Sequence, residues 1–317
     1  MSSEFDLINK WFNWPNTDPT VIKGVGDDAA ILSVPEGKQL IVTSDTFISG
    51  VHFPHETKPH AIGHKALAVN LSDLAAMGAK PAWFTLALTL PEYNEAWLSA
   101  FSLGLKTLAQ QHNIQLIGGD TTRGILSITI TAMGLLLPEK SLLRSGAKHH
   151  DQLYVTGTLG DAAAGLAMLQ QPLLTRSEQC IQQLDYPQPR VQHSHIIRDY
   201  ATSCLDVSDG LLADLQHILT ASKVGAVLDL ACIPFSKPLQ CMDKNTALHF
   251  ALSGGDDYEL LFSIPLDKQK EFEQHMQQQS LICYGIGHID QYVHGIISRD
   301  QQPLTPKGYN HFIGMNH

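Results

Sequence analysis

Hydrophobic residues at helical and strand spacing divide the first half of the chain into alternating elements. Leucines three and four positions apart predict a helix over residues 60–77, and a stripe from Trp97 to Leu108 predicts another over residues 94–111. Short runs with β-branched and aromatic residues predict strands over residues 38–43, 83–90, 114–117 and 125–137. These elements predict a sheet that packs against helices.

A polar stretch with proline and glycine, residues 138–150, interrupts this pattern and predicts a domain boundary. Beyond it, hydrophobic runs predict strands over residues 152–156, 226–230, 258–264 and 282–286. Helical spacing predicts helices over residues 161–169, 189–201, 211–222 and 268–278. We therefore expect an α/β (α+β) fold of two domains, residues 1–138 and 139–317, each a mixed or antiparallel sheet packed with helices.

Aspartate stands beside glycine, serine or threonine in several stretches that lack bulky residues. These stretches are residues 24–28, 43–46, 118–122, 206–210 and 254–257, and Asp73 adds a sixth acid within residues 70–74. Glycine lets the main chain approach a ligand closely. Carboxylates gathered together repel one another unless a cation lies between them, and Mg²⁺ commonly shares a few carboxylates with nucleotide phosphates. The pattern therefore favours an enzyme that uses Mg²⁺ and a nucleotide.

Each of these acids also has a structural interpretation when it is taken alone. Asp161 is positioned to cap the predicted helix that it begins, and Ser208 or Asp209 is positioned to cap the helix that starts at Leu211. Repetition of the same composition at predicted strand ends favours a shared site, because open α/β sheets bind ligands beyond the carboxyl ends of their strands.

Composition narrows the possible partners of the chain. A net charge of −10 over 317 residues argues against a nucleic-acid or anionic-membrane surface. An odd number of cysteines, five, without a Cys-x-x-Cys pair is typical of reduced thiols in the cytoplasm. The N-terminus lacks the pattern of a signal peptide, and no apolar run approaches the roughly 20 residues of a membrane span.

Two common nucleotide-binding signatures do not fit. Residues 24–29 match a relaxed dinucleotide fingerprint, but two aspartates occupy the loop and residues 30–34 run toward a strand rather than a helix. The chain also has no Gly-x-x-x-x-Gly-Lys-Ser/Thr phosphate loop and no protein-kinase signature. A phosphotransferase with this sequence therefore uses another architecture.

Taken together, the motifs resemble the thiamine-monophosphate kinase family. The matching stretches are residues 24–30, 43–46, 64–79, 116–124, 144–147, 154–158, 206–211, 252–260 and 307–312, and they span nearly the whole chain in the family's order. The resemblance implies transfer of phosphate from ATP to thiamine monophosphate, giving thiamine diphosphate, with several Mg²⁺ ions. It also implies an N-terminal half that forms a homodimer through its sheet, and a nucleotide cleft between the two halves.

The resemblance further implies roles for individual residues. Metal-site roles fall on Asp28, Thr43, Ser44, Asp45, Asp73, Asp120, Asp206 and Asp209. ATP contacts fall on Gly119, Asp120, Arg144 and Ser208. Contacts with thiamine phosphate fall on His52, Asp256 and Tyr309. At Asp256 the family commonly has glutamate, so this side chain is one methylene shorter than the family pattern.

Two other functions remain open. Another ATP-dependent member of the same superfamily, similar to aminoimidazole ribonucleotide synthetase, fits the expected fold, although residues 70–77 and 253–260 favour the thiamine family. A non-enzymatic protein that binds divalent cations is the second alternative. A Ca²⁺-binding module of the EF-hand kind predicts Asp-x-Asp-x-Asp-Gly loops, and none occurs in the sequence.

Overall fold

The computed structural model describes residues 4–171 and 175–308, so Tyr309 lies outside the described residues. The chain divides into two compact units. Unit 1 comprises the described residues up to Leu74 together with Ala79–Glu139, and unit 2 comprises Ala75–Gly78 together with the described residues from Lys140 onward. The predicted boundary after residue 138, and the roles assigned to the two domains, stay predictions.

Unit 1 is a mixed four-stranded sheet that packs against helices, which confirms the predicted fold class for this part of the chain. Its elements are α1 (Glu4–Trp11), β1 (Val21–Lys23), β2 (Ile31–Leu32), β3 (Gln39–Ile48), α2 (Pro59–Ala76, whose last residues belong to unit 2), β4 (Lys80–Leu90), α3 (Glu95–Gln111), β5 (Gln115–Arg123) and β6 (Ser127–Leu136). The strand order is β3-β6-β4-β5, with β4 and β5 parallel and the other pairs antiparallel. Strands β1 and β2 form a separate antiparallel pair.

The predicted helix over residues 60–77 is confirmed as α2, which is buried along nearly its whole length. Leu67, Leu71 and Leu74 are fully buried. Helices α2 and α3 approach closely because each has a glycine at the crossing. A Cβ on Gly63 would lie 2.1 Å from the carbonyl oxygen of Phe101, so a larger residue there would separate the helices.

Strand β3 has two different faces. Thr43, Asp45 and Phe47 alternate on the side of helix α2, and the residues between them point the other way. On that second face Ser44 and Thr46 lie within 3.0 Å of the hydroxyls of Thr131 and Thr129 on β6, and Leu40 and Val42 are exposed as well. The Thr-Ser-Asp-Thr stretch therefore lies inside the strand rather than after it.

Replacement by alanine should have a large effect at one of two neighbouring glycines on β5 and a small effect at the other. A Cβ on Gly119, which has φ of 151°, would lie 1.8 Å from the main-chain oxygen of Leu86 on β4, whereas a Cβ on Gly118 meets nothing within 4 Å. We expect Gly119→Ala to lower the free energy of unfolding by about 2 kcal/mol or more, and Gly118→Ala to change it by about 0.5 kcal/mol or less. Thermal unfolding of the two variants measures this difference, and equal midpoints would contradict the close approach of β5 to β4.

Unit 2 is a six-stranded sheet with helices, and it also confirms the predicted fold class. Its further elements are β7 (Gln152–Val155), α4 (Asp161–Gln170), α5 (Glu178–Asp185), α6 (Val191–Ile197), β8 (Ser203–Val207), α7 (Leu211–Ser222), β9 (Gly225–Leu228), α8 (Lys237–Gln240), α9 (Lys244–Ser253), β10 (Glu259–Ile264), α10 (Gln269–Gln278), β11 (Tyr284–Asp290) and β12 (Ile296–Ser298). The strand order is β12-β9-β11-β7-β10-β8, antiparallel except for the β12–β9 pair.

The polar loops of unit 2 meet at one end of this sheet. Strands β7 and β8 both run antiparallel to β10, so their carboxyl ends and the start of β10 lie at the same end of the sheet. The loops after Val155 and Val207, together with the loop before Glu259, therefore meet there. Helices α4 and α7 begin immediately after the first two of these loops.

Some predicted elements and both predicted helix caps were wrong. The predicted helix over residues 189–201 is the shorter α6, and α1, α5, α8 and α9 were not predicted. Gly160 is the cap residue of α4, whereas Asp161 lies inside the helix and accepts hydrogen bonds from the hydroxyls of Thr158 and Ser236. Gly210 precedes α7 without a side-chain cap, so neither Ser208 nor Asp209 caps that helix.

Candidate functional site

The candidate site in unit 1 is a group of three side chains between β3 and α2. The Thr43 hydroxyl donates a hydrogen bond of 2.6 Å to Oδ2 of Asp73, and the carboxyl group of Asp45 lies close enough to that of Asp73 for the two to interact. Strand alternation places Thr43 and Asp45 on one face, opposite the helix that carries Asp73. The structure thus brings together three of the residues predicted for a metal site.

Two facing carboxyl groups give this cluster an unusual protonation behaviour. Burial, and then the nearby charge of Asp73, raise the pKa of Asp45 from its ordinary value of 3.8 to about 7. A divalent cation would remove the cause of this shift, because it would neutralise both carboxylates at once. The donors are carboxylate and hydroxyl oxygens, which are the atoms that Mg²⁺ prefers. The side chains therefore fit a Mg²⁺ ion.

Two other residues predicted for the metal site are not part of this cluster. The Ser44 side chain lies on the opposite face of β3, where its hydroxyl is 3.0 Å from that of Thr131. Asp120 is on β5, at the other edge of the sheet, in register with Ala87 of β4 and, through β6, with Thr46 of β3. Three strand spacings separate Asp120 from β3, or about 14 Å. A single ion therefore does not bridge Asp45 and Asp120.

His52 has a fixed ring orientation near the end of β3. The main-chain N–H of Ile48 donates a hydrogen bond of 3.1 Å to its Nδ1, and its ring stacks on Phe47 at a centroid distance of 5.3 Å. Because Nδ1 accepts, the neutral ring carries its proton on Nε2. Phe47 follows Asp45 on the same face of β3, so the stacked pair of Phe47 and His52 begins two positions beyond Asp45 along the strand. Asp28 lies in an exposed turn of the same unit.

In unit 2 the structure brings a predicted nucleotide residue next to a predicted substrate residue. The Asp256 main-chain N–H donates a hydrogen bond of 2.9 Å to the carbonyl oxygen of Ser208, and the Tyr258 N–H donates one of 2.8 Å to that of Val207. Asp206 is buried in β8, and Asp209 is half-buried just beyond the strand. The loop before β10 thus extends the β8–β10 pairing as far as Ser208.

The backbone at Asp256 suits an aspartate. Asp256 has φ of 71°, in the left-handed region that aspartate enters more readily than most residues. Its Oδ1 accepts a hydrogen bond of 3.0 Å from the Tyr258 hydroxyl. The shorter side chain is therefore held by its own loop, with its direction fixed.

Asp214 is a buried acid of unit 2 that the sequence reasoning missed. Its Oδ2 accepts hydrogen bonds of 3.0, 3.0 and 3.1 Å from the main-chain N–H groups of Ser208, Asp209 and Gly210. Burial raises the pKa of Asp214 to about 7, although the three N–H donors favour the charged form. The spacing Asp-x-x-x-x-Asp between residues 209 and 214 is a signal, but a helix residue that binds the amides before its own helix is not a usual cap pattern.

Asp257 is the second acid that the sequence reasoning did not single out. Both of its carboxyl oxygens contact the N–H of Gly160, at 2.9 and 3.0 Å, at the start of α4. Burial raises its pKa well above the ordinary value, the Gly160 N–H opposes this shift, and the charges of Glu259 and Asp161 add to it. Asp257 thus ties the loop before β10 to helix α4.

The structure does not bring Arg144 together with Ser208 and Asp209. The carbonyl oxygen of Arg144 accepts a hydrogen bond from the hydroxyl of Ser222, which is the last residue of α7. Ser208 and Asp209 precede the other end of that helix, which is about 18 Å long. Arg144 is exposed, and an ATP contact for it stays a prediction.

The described ranges, 4–171 and 175–308, contain neither a larger group of metal ligands nor a helix that could span a membrane. No three His, Cys, Asp or Glu side chains within them group closely enough to hold one metal ion. No helix within the same ranges is long and apolar enough to cross a membrane. The acidic cluster of unit 1 therefore offers two carboxylates, which is the number that Mg²⁺ commonly takes from a protein when phosphates supply other ligands.

Comparison with protein families matches both halves of the chain. Residues 26–136 match the family described as "AIR synthase related protein, N-terminal domain". Residues 148–297 match "AIR synthase related protein, C-terminal domain". The two matches cover most of the chain and include every predicted site residue except Arg144 and Tyr309.

Individual relatives are similar over nearly the whole chain. The thiamine-monophosphate kinase of Escherichia coli (strain K12) is 45% identical over 318 residues, covering 98% of each chain. The crystal structure of thiamine-monophosphate kinase from Stenotrophomonas maltophilia K279a is 45% identical with a TM-score of 0.86, covering 90% of this chain and 93% of that one. A structure of AaThiL complexed with AMPPCP and TMP is 31% identical with a TM-score of 0.79, covering 92% of each chain.

Proposed function

Since the chain belongs to the thiamine-monophosphate kinase family, within the AIR synthase related proteins, we propose that it transfers a phosphoryl group from ATP to thiamine monophosphate. The product is thiamine diphosphate. Identity of 45% over 98% of both chains is the observation that carries this assignment. The complex of a relative with AMPPCP and TMP supports the same pair of substrates.

The acceptor determines what the protein must supply. Thiamine monophosphate ends in a phosphate monoester with a second pKa of about 6, so at neutral pH it is mostly a dianion and needs no general base. The difficulty is to bring two anionic phosphate groups together, in line, inside a protein whose own net charge is −10. Electrostatic neutralisation and positioning are therefore the main tasks of the side chains.

We propose that Asp45 and Asp73 hold Mg²⁺, with Thr43 orienting Asp73 through its hydroxyl. When bound, the ion screens the phosphates from each other and stabilises charge on the transferring group. Asp28, Asp120, Asp206 and Asp209 are proposed to serve further ions, since Asp120 is too far along the sheet from β3 to share one with Asp45. The Ser44 side chain faces away from this cluster, so we expect a smaller role for it.

The remaining predicted residues are proposed as substrate contacts. Gly119, Asp120, Arg144 and Ser208 are assigned to ATP by their match to the family motifs. His52 and Asp256 are assigned to thiamine phosphate. Their fixed orientations support this assignment, because the Ile48 N–H holds the His52 ring and the Tyr258 hydroxyl holds the Asp256 carboxylate.

The test is to incubate the purified chain with ATP, MgCl₂ and thiamine monophosphate and to measure thiamine diphosphate by chromatography. We expect turnover with thiamine monophosphate and none with aminoimidazole ribonucleotide precursors. Absence of thiamine diphosphate, with a folded protein and both substrates present, would reject the assignment. Tight Ca²⁺ binding without any turnover would instead favour the cation-binding alternative.

We further propose that the protein is a homodimer formed through the second face of the unit 1 sheet. Leu40 and Val42 expose apolar side chains there, beside the hydroxyls of Ser44 and Thr46. Such a mixed face suits a second copy of the same sheet, which would bury the apolar residues and offer the hydroxyls further hydrogen-bond partners. Light scattering after gel filtration should give about twice the chain mass of 34.8 kDa. A mass equal to one chain would contradict this proposal.

A cytoplasmic location is part of the proposal. It is supported by the five cysteines, all of which are unpaired in the structure. Two of them, Cys180 and Cys204, are buried among hydrophobic residues, where burial raises the pKa of the thiol and makes it a poor nucleophile.

A further inference from the structure

The start of helix α7 has the geometry of an anion-binding site, but the protein itself occupies it. Three consecutive N–H groups, those of Ser208, Asp209 and Gly210, converge on a single oxygen of Asp214 at 3.0 to 3.1 Å. Amides at the start of a helix commonly bind phosphate, because they carry the positive end of the helix dipole. Here a carboxylate that is only 4% exposed takes that place.

The same loop is held from its other side by the loop before β10. The carbonyl oxygen of Ser208 accepts the Asp256 N–H at 2.9 Å. Gly210, with φ of 117°, packs so closely on Ser253 that a Cβ would lie 2.9 Å from its carbonyl carbon. With its N–H groups bound to Asp214 and a carbonyl bound to Asp256, the main chain of the Ser208–Asp209 turn is committed to the protein.

We propose that Asp214 is a positioning residue that fills the amide end of α7, so that the loop meets nucleotide or metal only through the side chains of Ser208 and Asp209. This inference rests on the proposed function for the identity of the ligand. The Asp214 carboxylate accepts the main-chain N–H groups that a bound phosphate would accept in a phosphate-binding loop. It fixes the loop before any ligand arrives, which lowers the ordering cost of binding.

If Asp214 has this role, the main chain of the loop does not bind phosphate, and a metal ion does. The main-chain N–H groups of residues 208–210 are all bonded to Asp214. A nucleotide phosphate that approaches this loop therefore meets the side-chain oxygens of Ser208 and Asp209 instead. Phosphate binding in unit 2 should therefore depend on divalent cations rather than on amides. Asp214 would set the position of the Asp209 carboxylate without touching the substrate.

Replacement and chemical rescue test this role. Asp214→Ala should lower kcat/KM for ATP by about 10- to 100-fold, because misplacement of a binding group by about 1 Å has effects of this size. Added formate, a small carboxylate that can enter the vacated space, should raise that activity by about fivefold or more. Asp214→Asn keeps an acceptor oxygen in place and should lose less activity than Asp214→Ala.

Asp151 provides a matched control in the same unit. It is also 4% exposed, and its carboxylate accepts hydrogen bonds from the Lys148 N–H and the Thr202 hydroxyl. It differs in position, because it lies before β7, at the opposite end of the strands. Formate should not rescue any loss that Asp151→Ala causes. Equal rescue of both variants, or activity of Asp214→Ala within about twofold of the parent, would overturn the proposal.

Hydrogen exchange on the unsubstituted chain decides the question even if Asp214→Ala does not fold. The N–H groups of residues 208–210 should already be protected in the absence of ligands, and Mg²⁺ with ATP should add little protection. Rapid exchange of these groups until nucleotide is added would overturn the proposal. This measurement needs no turnover, so it separates a failure of the Asp214 role from a failure of the kinase assignment.

Discussion

Asp73→Asn is expected to lower turnover of thiamine monophosphate by about 100- to 1000-fold while the protein stays folded, because one neutral oxygen replaces a charged metal ligand. Asp73 lies on α2, accepts the Thr43 hydroxyl at 2.6 Å and faces Asp45. Asparagine has nearly the same shape and can still accept from Thr43. The loss should therefore come from the missing charge and not from packing.

Two measurements separate a metal role from a structural one. Mg²⁺ should raise the unfolding temperature of the parent protein and have little effect on Asp73→Asn, because a ligand stabilises only the state that binds it. Glu95→Gln is a matched control on α3, where an exposed carboxylate pairs with Lys10, and it should keep both activity and the Mg²⁺ response. Activity of Asp73→Asn above about one tenth of the parent would remove Asp73 from the metal site.

The sequence predicted long, strongly patterned elements well and the connections between them less well. Helix α2 followed from Leu67, Leu71 and Leu74, because a buried helix needs apolar residues at that spacing. Strand β3 was cut short, since Thr-Ser-Asp-Thr has the composition of a strand end. The strand continues because the hydroxyls of Ser44 and Thr46 pair with threonines of β6.

The candidate site shows the same limit. Thr43, Asp45 and Asp73 were predicted as metal-site residues, and the contact between strand and helix brings them together. The distance from β3 to Asp120 could not be predicted, because chain order does not reveal that β3 and β5 are opposite edges of one sheet. Asp214 was missed for a related reason, since its three partners come from the turn before its own helix.

Asp45→Asn is expected to stabilise the protein at pH 8 in the absence of divalent cations and to abolish most of its activity. Burial and the charge of Asp73 raise the pKa of Asp45 from 3.8 to about 7 in the folded state. Between these two values the folded chain binds more protons than the unfolded chain, so the free energy of unfolding falls as pH rises from about 4 to about 7. Above that range the folded protein holds two facing carboxylates without compensation.

Asp45→Asn should raise the free energy of unfolding at pH 8 by about 1–3 kcal/mol. This is less than the full rise in the pKa of Asp45 would give, because Asp45 is partly exposed and shares its proton with Asp73. The gain should shrink toward zero near about pH 3, which is below the pKa of Asp45 in both states, because the carboxyl group of the parent is then mostly protonated whether the chain is folded or unfolded. Denaturant unfolding at both pH values, with EDTA present, measures it. Added Mg²⁺ should then reverse the order at pH 8, stabilising the parent and leaving Asp45→Asn unchanged. A variant less stable than the parent at pH 8 without Mg²⁺ would mean that Asp45 contributes to folding, and that the two carboxylates are not a site strained to receive a cation.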